Sequence, residues 1–316
     1  MSKFGAQSTT DDVLAEKDLT GRTVFITGGN SGLGLETGRA MSARGAHVIL
    51  AGRDHGKLAE AMRIIRSDHS DGEVEKIICD LGSLKSVLNC GTEARNRFDK
   101  IDLLINNAGV MACPKSTTAD GFETQFGTNH LGHFLLTKEL MPLIEKGTAK
   151  RIVNLSSRGH HFAPVSLGDP NFETTSYDPW VAYGQSKTAN ILFTVGLEQR
   201  FSDKGIHAYA VHPGGIQTNL GRHMTEEQTA ALISRVSASD PDFAWKTIPQ
   251  GAATQCWAAT DNQVEGTGGV YCEDCHVAEV DDNSAKGGVR SYAIDQDNAN
   301  RLWAMSESLV GDRFTA

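Results

Sequence analysis

Short runs of aliphatic and β-branched residues recur along the 316-residue chain, and the stretches between them carry helix-compatible spacing. Positions 23–27 (TVFIT), 46–51 (AHVILA), 75–79 (EKIIC), 101–105 (IDLLI), 151–155 (RIVNL) and 206–211 (IHAYAV) read as strands. Their apolar character is near-continuous, as expected for strands covered on both faces. Helices are expected over 35–41, 55–70, 121–146 and 181–201. The 121–146 segment presents Phe122, Phe126, Leu131, Phe134, Leu135, Leu140 and Leu143 as its apolar set. A further helix begins within 251–260, and residues 268–271 suggest a last strand. Regular alternation predicts an α/β protein, a single domain with one doubly wound parallel sheet. Residues 1–18 form a polar N-terminal extension, and 19–316 form the domain. Around 220–247, Met224, Leu232, Ile233, Val236, Phe243 and Trp245 are interspersed with charge. The pattern suggests a helical lid insert near 216–250.

Candidate chemistry gathers where these strands end. The first strand runs into Gly28, Gly32 and Gly34 and then a helix. Strand, glycine turn and helix suit a dinucleotide pyrophosphate, because glycines permit close backbone approach and a helix start offers free N–H groups. The second strand ends at Gly52-Arg53-Asp54. An Arg at that tip accommodates a ribose 2′-phosphate, whereas an acidic residue would take the 2′-OH. This favours NADP(H) over NAD(H), and Asp54 reverses the preference if the strand ends one residue later. Asp80, before Leu81, either faces the adenine or helps to cap the next helix near Ser83. Asn106-Asn107-Ala108-Gly109 again places small residues after a buried strand. Asn129 lies inside an apolar helix, where asparagine is mildly unfavourable. Ser156 and Ser157 end the fifth strand, and 213–218 follow the sixth.

Tyr183 and Lys187 are four apart and share one face of a helix. An ammonium within about 4–6 Å lowers a phenol's pKa by about 1–3 units from about 10. That brings the phenol toward the range in which it can exchange a proton during catalysis.

Charge and cysteine content narrow the partners. With 30 basic and 39 acidic residues, the formal charge is -9, which argues against nucleic acid or an anionic membrane surface. The six cysteines are scattered except for Cys272 and Cys275, as suits a reducing compartment. The first 18 residues lack a signal-peptide apolar core, and no run approaches the ~18 apolar residues of a membrane span. A soluble, cytoplasmic protein is expected. Cys272-x-x-Cys275 has no second pair to complete a zinc site, so no metal is expected. His160 and His161 are either substrate or lid contacts or loop residues without a role.

Taken together and in order, TGGNSGLG at 27–34, NNAG at 106–109, Asn129 in TNHLGHF, Ser157 in IVNLSS, YGQSK at 183–187 and PGGIQT at 213–218 resemble the short-chain dehydrogenase/reductase family. The resemblance spans residues 18–275. Within the family, DLTGRTVFITGGNSGLGLETG, HVILAGRD and TNHLGHFLLT are most similar to the retinol dehydrogenase and WW-domain oxidoreductase branch. Protochlorophyllide reductases share parts of the pattern. No membrane anchor or WW domain is expected in this chain, which weakens retinol as the substrate.

The resemblance implies a Rossmann fold and an NADP(H)-dependent enzyme interconverting an alcohol and a carbonyl on an apolar small molecule, with NAD(H) as the alternative cofactor. It implies catalytic roles for Asn129, Ser157, Tyr183 and Lys187. Tyr183 acts as general acid or base. Lys187 lowers its pKa and binds the nicotinamide ribose. Ser157 bonds the substrate oxygen, with Ser156 as the rival, and Asn129 holds a relay water. Cofactor contacts are implied at Gly28, Asn30, Ser31, Gly32, Leu33, Gly34, Arg53, Asp80, Leu81, Asn107, Ala108, Gly109, Tyr183, Lys187, Pro213, Gly214, Ile216 and Thr218. A homodimer or homotetramer pairing through helices 121–146 and 181–201 is expected. Two other readings stay open: a catalytically silent NADP(H)-binding sensor, and a C=C reductase resembling protochlorophyllide reductase.

Overall fold

Five consecutive residues form strand β1 (Thr23–Thr27), and every one is buried. In a computed structural model describing residues 3–69, 72–221, 225, 227, 229, 230, 233, 234 and 244–314, β1 lies between two parallel partners. These are β2 (His47–Gly52) and β4 (Leu103–Asn106). Beyond β2 lies β3 (Val74–Ile78); beyond β4 come β5 (Arg151–Leu155), β6 (His207–His212) and β7 (Val270–Glu273), all parallel. The short β8 (His276–Val277) closes that edge antiparallel. The order β3-β2-β1-β4-β5-β6-β7 makes this a doubly wound Rossmann sheet. Its switch point lies between β1 and β4, so ligands belong at the carboxyl ends of those strands.

The helices in chain order are α1 (Thr10–Leu14), α2 (Gly32–Ser42), α3 (His55–Asp68), α4 (Leu84–Arg97), α5 (Thr124–Phe126), α6 (Gly132–Ile144), α7 (Pro179–Phe201), α8 (Ile248–Thr260) and α9 (Gln296–Val310). Alternation along β1 divides them into two layers. Val24 and Ile26 pack with Met41, Leu58 and Trp257 from α2, α3 and α8, while Phe25 shares a cluster with Cys90, Phe134 and Phe193 from α4, α6 and α7. Both faces are therefore dry, which is why the strands read as unbroken apolar runs.

Several boundaries differ from the sequence reading. The expected helix over 121–146 is broken. Residue 121 is a glycine with φ +87°, and Glu123 caps α5 by accepting from the Gln125 and Phe126 amides. Residues Gly127–Leu131 then form a π turn before α6 begins. Gly132 lies so close to the strand-end loop that a Cβ there would fall 2.5 Å from the Leu81 carbonyl. The helix expected at 181 starts at Pro179, with Asp178 capping the Trp180 and Val181 amides.

Three elements had no strong pattern. In α1, a capping box between Thr9 and Asp12 starts a single turn, which buries Val13 and Leu14 within the otherwise polar first 18 residues. β8 is only two residues long. α9 packs along α7, and its Trp303 joins Phe134, Phe193, Phe201 and Phe314 in an aromatic cluster. The chain's own α9 thus covers apolar faces of the two helices expected to pair in an oligomer.

The proposed lid lies mostly outside the described residues, including Met224, Leu232, Val236 and Phe243. Its two ends are joined, since Lys246 N–H donates to the Gly215 carbonyl and Ile216 bridges to Lys246. Among the described residues, no helix is long and apolar enough to cross a membrane.

Candidate active site

The turn after β1 depends on its glycines. Gly28 and Gly32 adopt φ of +65° and +53°, a region L side chains rarely enter. A Cβ on Gly34 would fall 2.5 Å from the Gly28 carbonyl and 2.6 Å from Asn107 Nδ2. Ser31 stands at the N-cap of α2 without a side-chain cap, whereas α3, α4, α7, α8 and α9 all start on one. The first amides of α2 are thus left facing outward from a glycine turn, an arrangement that fits a dinucleotide pyrophosphate.

The neighbouring loops complete this cradle. Thr218 sits over Gly32, its methyl 3.7 Å from where a Cβ would be. Leu33 and Ile216 both pack against Gly251 of α8. Gly214, after Pro213, has φ +94° and packs on the Lys246 stem. Asn107 and Ala108 donate their N–H groups to Thr27 Oγ1 at 2.9 and 3.0 Å, which holds the loop after β4 against the end of β1. Gly109 faces Asn129 and Lys187: a Cβ there would lie 3.2 Å from Asn129 Oδ1 and 3.7 Å from Lys187 Nζ.

At the end of β2, Asn30 approaches Gly52, and Arg53 is exposed. Asp54 caps α3, its carboxylate accepting the Lys57 amide at 3.0 Å. Asp80 accepts from the Gly82 amide, while Ser83 is the cap of α4. Leu81 is buried in the core beneath α6.

Tyr183, Lys187 and Ser157 converge at the carboxyl end of β5. Gly159 lets the Tyr183 ring lie close, since a Cβ there would meet Tyr183 Cε1 at 2.6 Å. Ser157 Oγ accepts the Gly159 amide at 2.9 Å and hydrogen-bonds the phenol, which favours its ionisation. Ser156 is turned away, its hydroxyl donating to the Lys187 carbonyl at 2.9 Å. Lys187 Nζ lies 5.7 Å from the centre of the Tyr183 ring and donates to the Leu155 carbonyl at 3.0 Å. Asn129, in the π turn, is fully engaged. Its Nδ2 donates to the Val110 carbonyl and to Ser186 Oγ, both at 2.9 Å, and its Oδ1 accepts the Val110 amide at 2.9 Å.

Burial reverses one expectation. Tyr183 and Lys187 are each only 4% exposed. Desolvation pushes the phenol up to about 12 against the pull of Ser157, and pushes the ammonium down to about 8. The lowered tyrosine pKa expected from the Tyr–Lys spacing is therefore not present in this structure, because both charged forms lose hydration.

The wall beside the phenol is aromatic and well fastened. Trp180 meets Tyr183 edge-on at 6.4 Å and Phe162 at 5.7 Å between ring centres. Tyr177 donates to the Cys113 carbonyl and accepts from Gln125 Nε2, and Asp169 gathers the amides of 173–175. His160 and His161 are struts rather than pocket walls. The His160 ring bonds the Ser157 carbonyl and the Arg290 amide, and His161 bonds the Gly288 carbonyl. Cys272 and Cys275 are buried free thiols that burial holds protonated.

Sequence reasoning passed over Thr27, Gln125, Tyr177 and His133, which hold this arrangement together. A visible signal existed for His133: a polar residue in an otherwise apolar stretch, one turn after Asn129.

Comparison with known proteins agrees with this geometry. The family model described as short chain dehydrogenase matches residues 22–229. The short-chain dehydrogenase/reductase prx1 of Penicillium roqueforti is 39% identical over 315 residues, covering 96% of this chain and 91% of that protein. Retinol dehydrogenase 14 of Mus musculus is 38% identical over 302 residues, covering 92% and 86% respectively. A crystal structure of an uncharacterized protein from Mycobacterium paratuberculosis superposes with a TM-score of 0.74 at 35% identity, covering 98% of this chain and all of that one.

Proposed function

The chain belongs to the short-chain dehydrogenase family, and from that premise we propose that it is an NADP(H)-dependent oxidoreductase interconverting an alcohol and a carbonyl on an apolar small molecule. The family is one of NAD(P)(H)-dependent oxidoreductases. The observation that carries the reading is the convergence of Tyr183, Ser157 and Lys187, buried beside a glycine turn and a bare helix start.

In this reading the α2 amides and the glycine turn bind the pyrophosphate. Arg53 is free to meet a 2′-phosphate, and the capping role of Asp54 supports that assignment, because its carboxylate is committed to the Lys57 amide. When bound, the nicotinamide supplies or accepts the hydride. Ser157 Oγ accepts a backbone N–H and stands beside the Tyr183 phenol, so a substrate oxygen held there meets both hydroxyls. Tyr183 delivers the proton in reduction and removes it in oxidation. Lys187 supplies the positive charge that stabilises the phenolate. Asn129 orders the turn through which protons reach Lys187. Phe162 and Trp180 exclude water beside the phenol and favour an apolar substrate.

The test is Tyr183→Phe, assayed by NADPH consumption with decanal, 4-nitrobenzaldehyde and all-trans-retinal. Turnover falls by at least ~10²-fold, the scale of general acid removal. NADPH binding, followed by fluorescence, is unchanged. A variant that keeps its turnover removes Tyr183 as proton donor. Wild-type protein that binds NADPH but reduces none of the three carbonyls counts for the silent sensor.

A further inference from the structure

His133 opens α6 one turn after Asn129, and its ring is buried. Its two nitrogens bond different parts of the site. Nδ1 lies 2.9 Å from the Asn129 carbonyl oxygen, and a carbonyl only accepts, so Nδ1 carries the proton. Nε2 lies 2.9 Å from Thr27 Oγ1. That hydroxyl already accepts the amides of Asn107 and Ala108, which occupies both its lone pairs. Its one proton is left for Nε2; the competing acceptor, the Ile105 carbonyl, is 3.4 Å away. Geometry therefore admits a single form of this imidazole, neutral and protonated at Nδ1. Burial, aided by the nearby Lys187 charge, disfavours the imidazolium in the same direction.

We propose that His133 is a positioning residue that ties the Asn129 turn to the carboxyl end of β1, so that one side chain couples the cofactor loop to the proton path. The proposal rests on the function proposed above. Its basis is the strut itself. A π turn is an uncommon form that tertiary bonds must hold open. The Asn129 side chain is anchored to Val110 and Ser186, on the side of Lys187. Its main chain is anchored to His133, and through Thr27 to Asn107 and Ala108. A displaced cofactor loop and a displaced Asn129 are thus the same event.

Two variants separate positioning from packing. His133→Phe keeps a ring of similar volume and loses both bonds. His133→Gln retains one donor and one acceptor. Nitrogen-15 NMR of histidine-labelled wild type shows His133 protonated at Nδ1 only, from pH 6 to 8; an Nε2–H form or an imidazolium there overturns the proposal. The Asn129 side-chain amide resonance, followed with NADPH bound, moves in His133→Phe and returns toward wild type in His133→Gln. An unmoved resonance in folded His133→Phe also overturns it.

With NADPH and 4-nitrobenzaldehyde, His133→Phe lowers kcat by roughly ten- to hundredfold, the scale for a small misplacement of a catalytic group. KM for NADPH changes far less, the solvent deuterium isotope effect on kcat rises, and His133→Gln recovers much of the loss. A kcat loss with an unchanged isotope effect and no recovery in the Gln variant marks a packing role and sinks the proposal. Failure of the functional reading is distinct: it appears as retained activity in Tyr183→Phe, while the NMR arms still judge the strut.

Discussion

Replacing Lys187 by Met removes the ammonium and keeps a stem of similar length. Nζ lies 5.7 Å from the centre of the Tyr183 ring. Over such a distance an ammonium and a phenolate attract by about 3 kcal/mol at an effective dielectric constant of about 20. That corresponds to about two pKa units. Burial already pushes the phenol up to about 12, so losing this attraction carries the phenolate still further from neutral pH. The assay is kcat for alcohol oxidation against pH; in the proposed mechanism the phenolate is the base, and kcat climbs up to its pKa. In Lys187→Met the climb moves about two units to the alkaline side, and kcat at pH 7 falls by about 10²-fold. A profile that keeps its wild-type position refutes the reasoning.

The same substitution stabilises the fold. Burial lowers the Lys187 pKa from 10.5 to about 8. In the unfolded chain the lysine keeps its proton up to about 10.4, and in the folded protein only to about 8, so wild-type stability rises with pH through that window. Below it, the buried charge costs about 3 kcal/mol. Lys187→Met is therefore the more stable protein at pH 7, and its advantage fades as pH climbs through the window. The Leu155 carbonyl does not lose its last partner, because Asn190 also donates to it at 2.9 Å. Urea unfolding at neutral and alkaline pH measures the effect, and a variant less stable than wild type at pH 7 contradicts it.

Arg53→Ala lowers the preference for NADPH over NADH by roughly ten- to hundredfold in kcat/KM, the equivalent of one charge-assisted bond; an unchanged ratio means the 2′-phosphate is not read there. Removing residues 296–316 uncovers Phe134, Phe193 and Phe201, which Trp303 and Phe314 now cover. The truncated protein associates in sedimentation velocity, and one that sediments with the full chain's association state shows that α9 shields nothing.

The sheet was legible because its strands are dry on both faces, so each announces itself as an apolar run. Strands β1, β5 and β6 fall within one residue of their expected limits, and the glycine turn lies where strand and helix require it. Tyr183 and Lys187 share a helix face by periodicity alone. The pattern did not reveal α1 and β8, which are too short to be periodic, or α9, whose position depends on aromatic residues from α6 and α7. The π turn was hidden for a related reason. The residues from 127 to 131 have helical spacing, and the partners of Asn129 within the turn, Val110 and Ser186, come from elsewhere in the chain.

The sequence alone determined which side chains could perform proton chemistry and on which strand ends they stand, because residue type and local period are written in the chain. Tertiary structure decided their electrostatic state and their partners. It placed Asp54 on a helix cap, turned Ser156 away from Tyr183 and left Ser157 facing it. It also buried Tyr183 and Lys187 deeply enough to drive their pKa values toward the neutral forms. Desolvation depends on everything packed around a group, and a spacing of four residues carries no information about that.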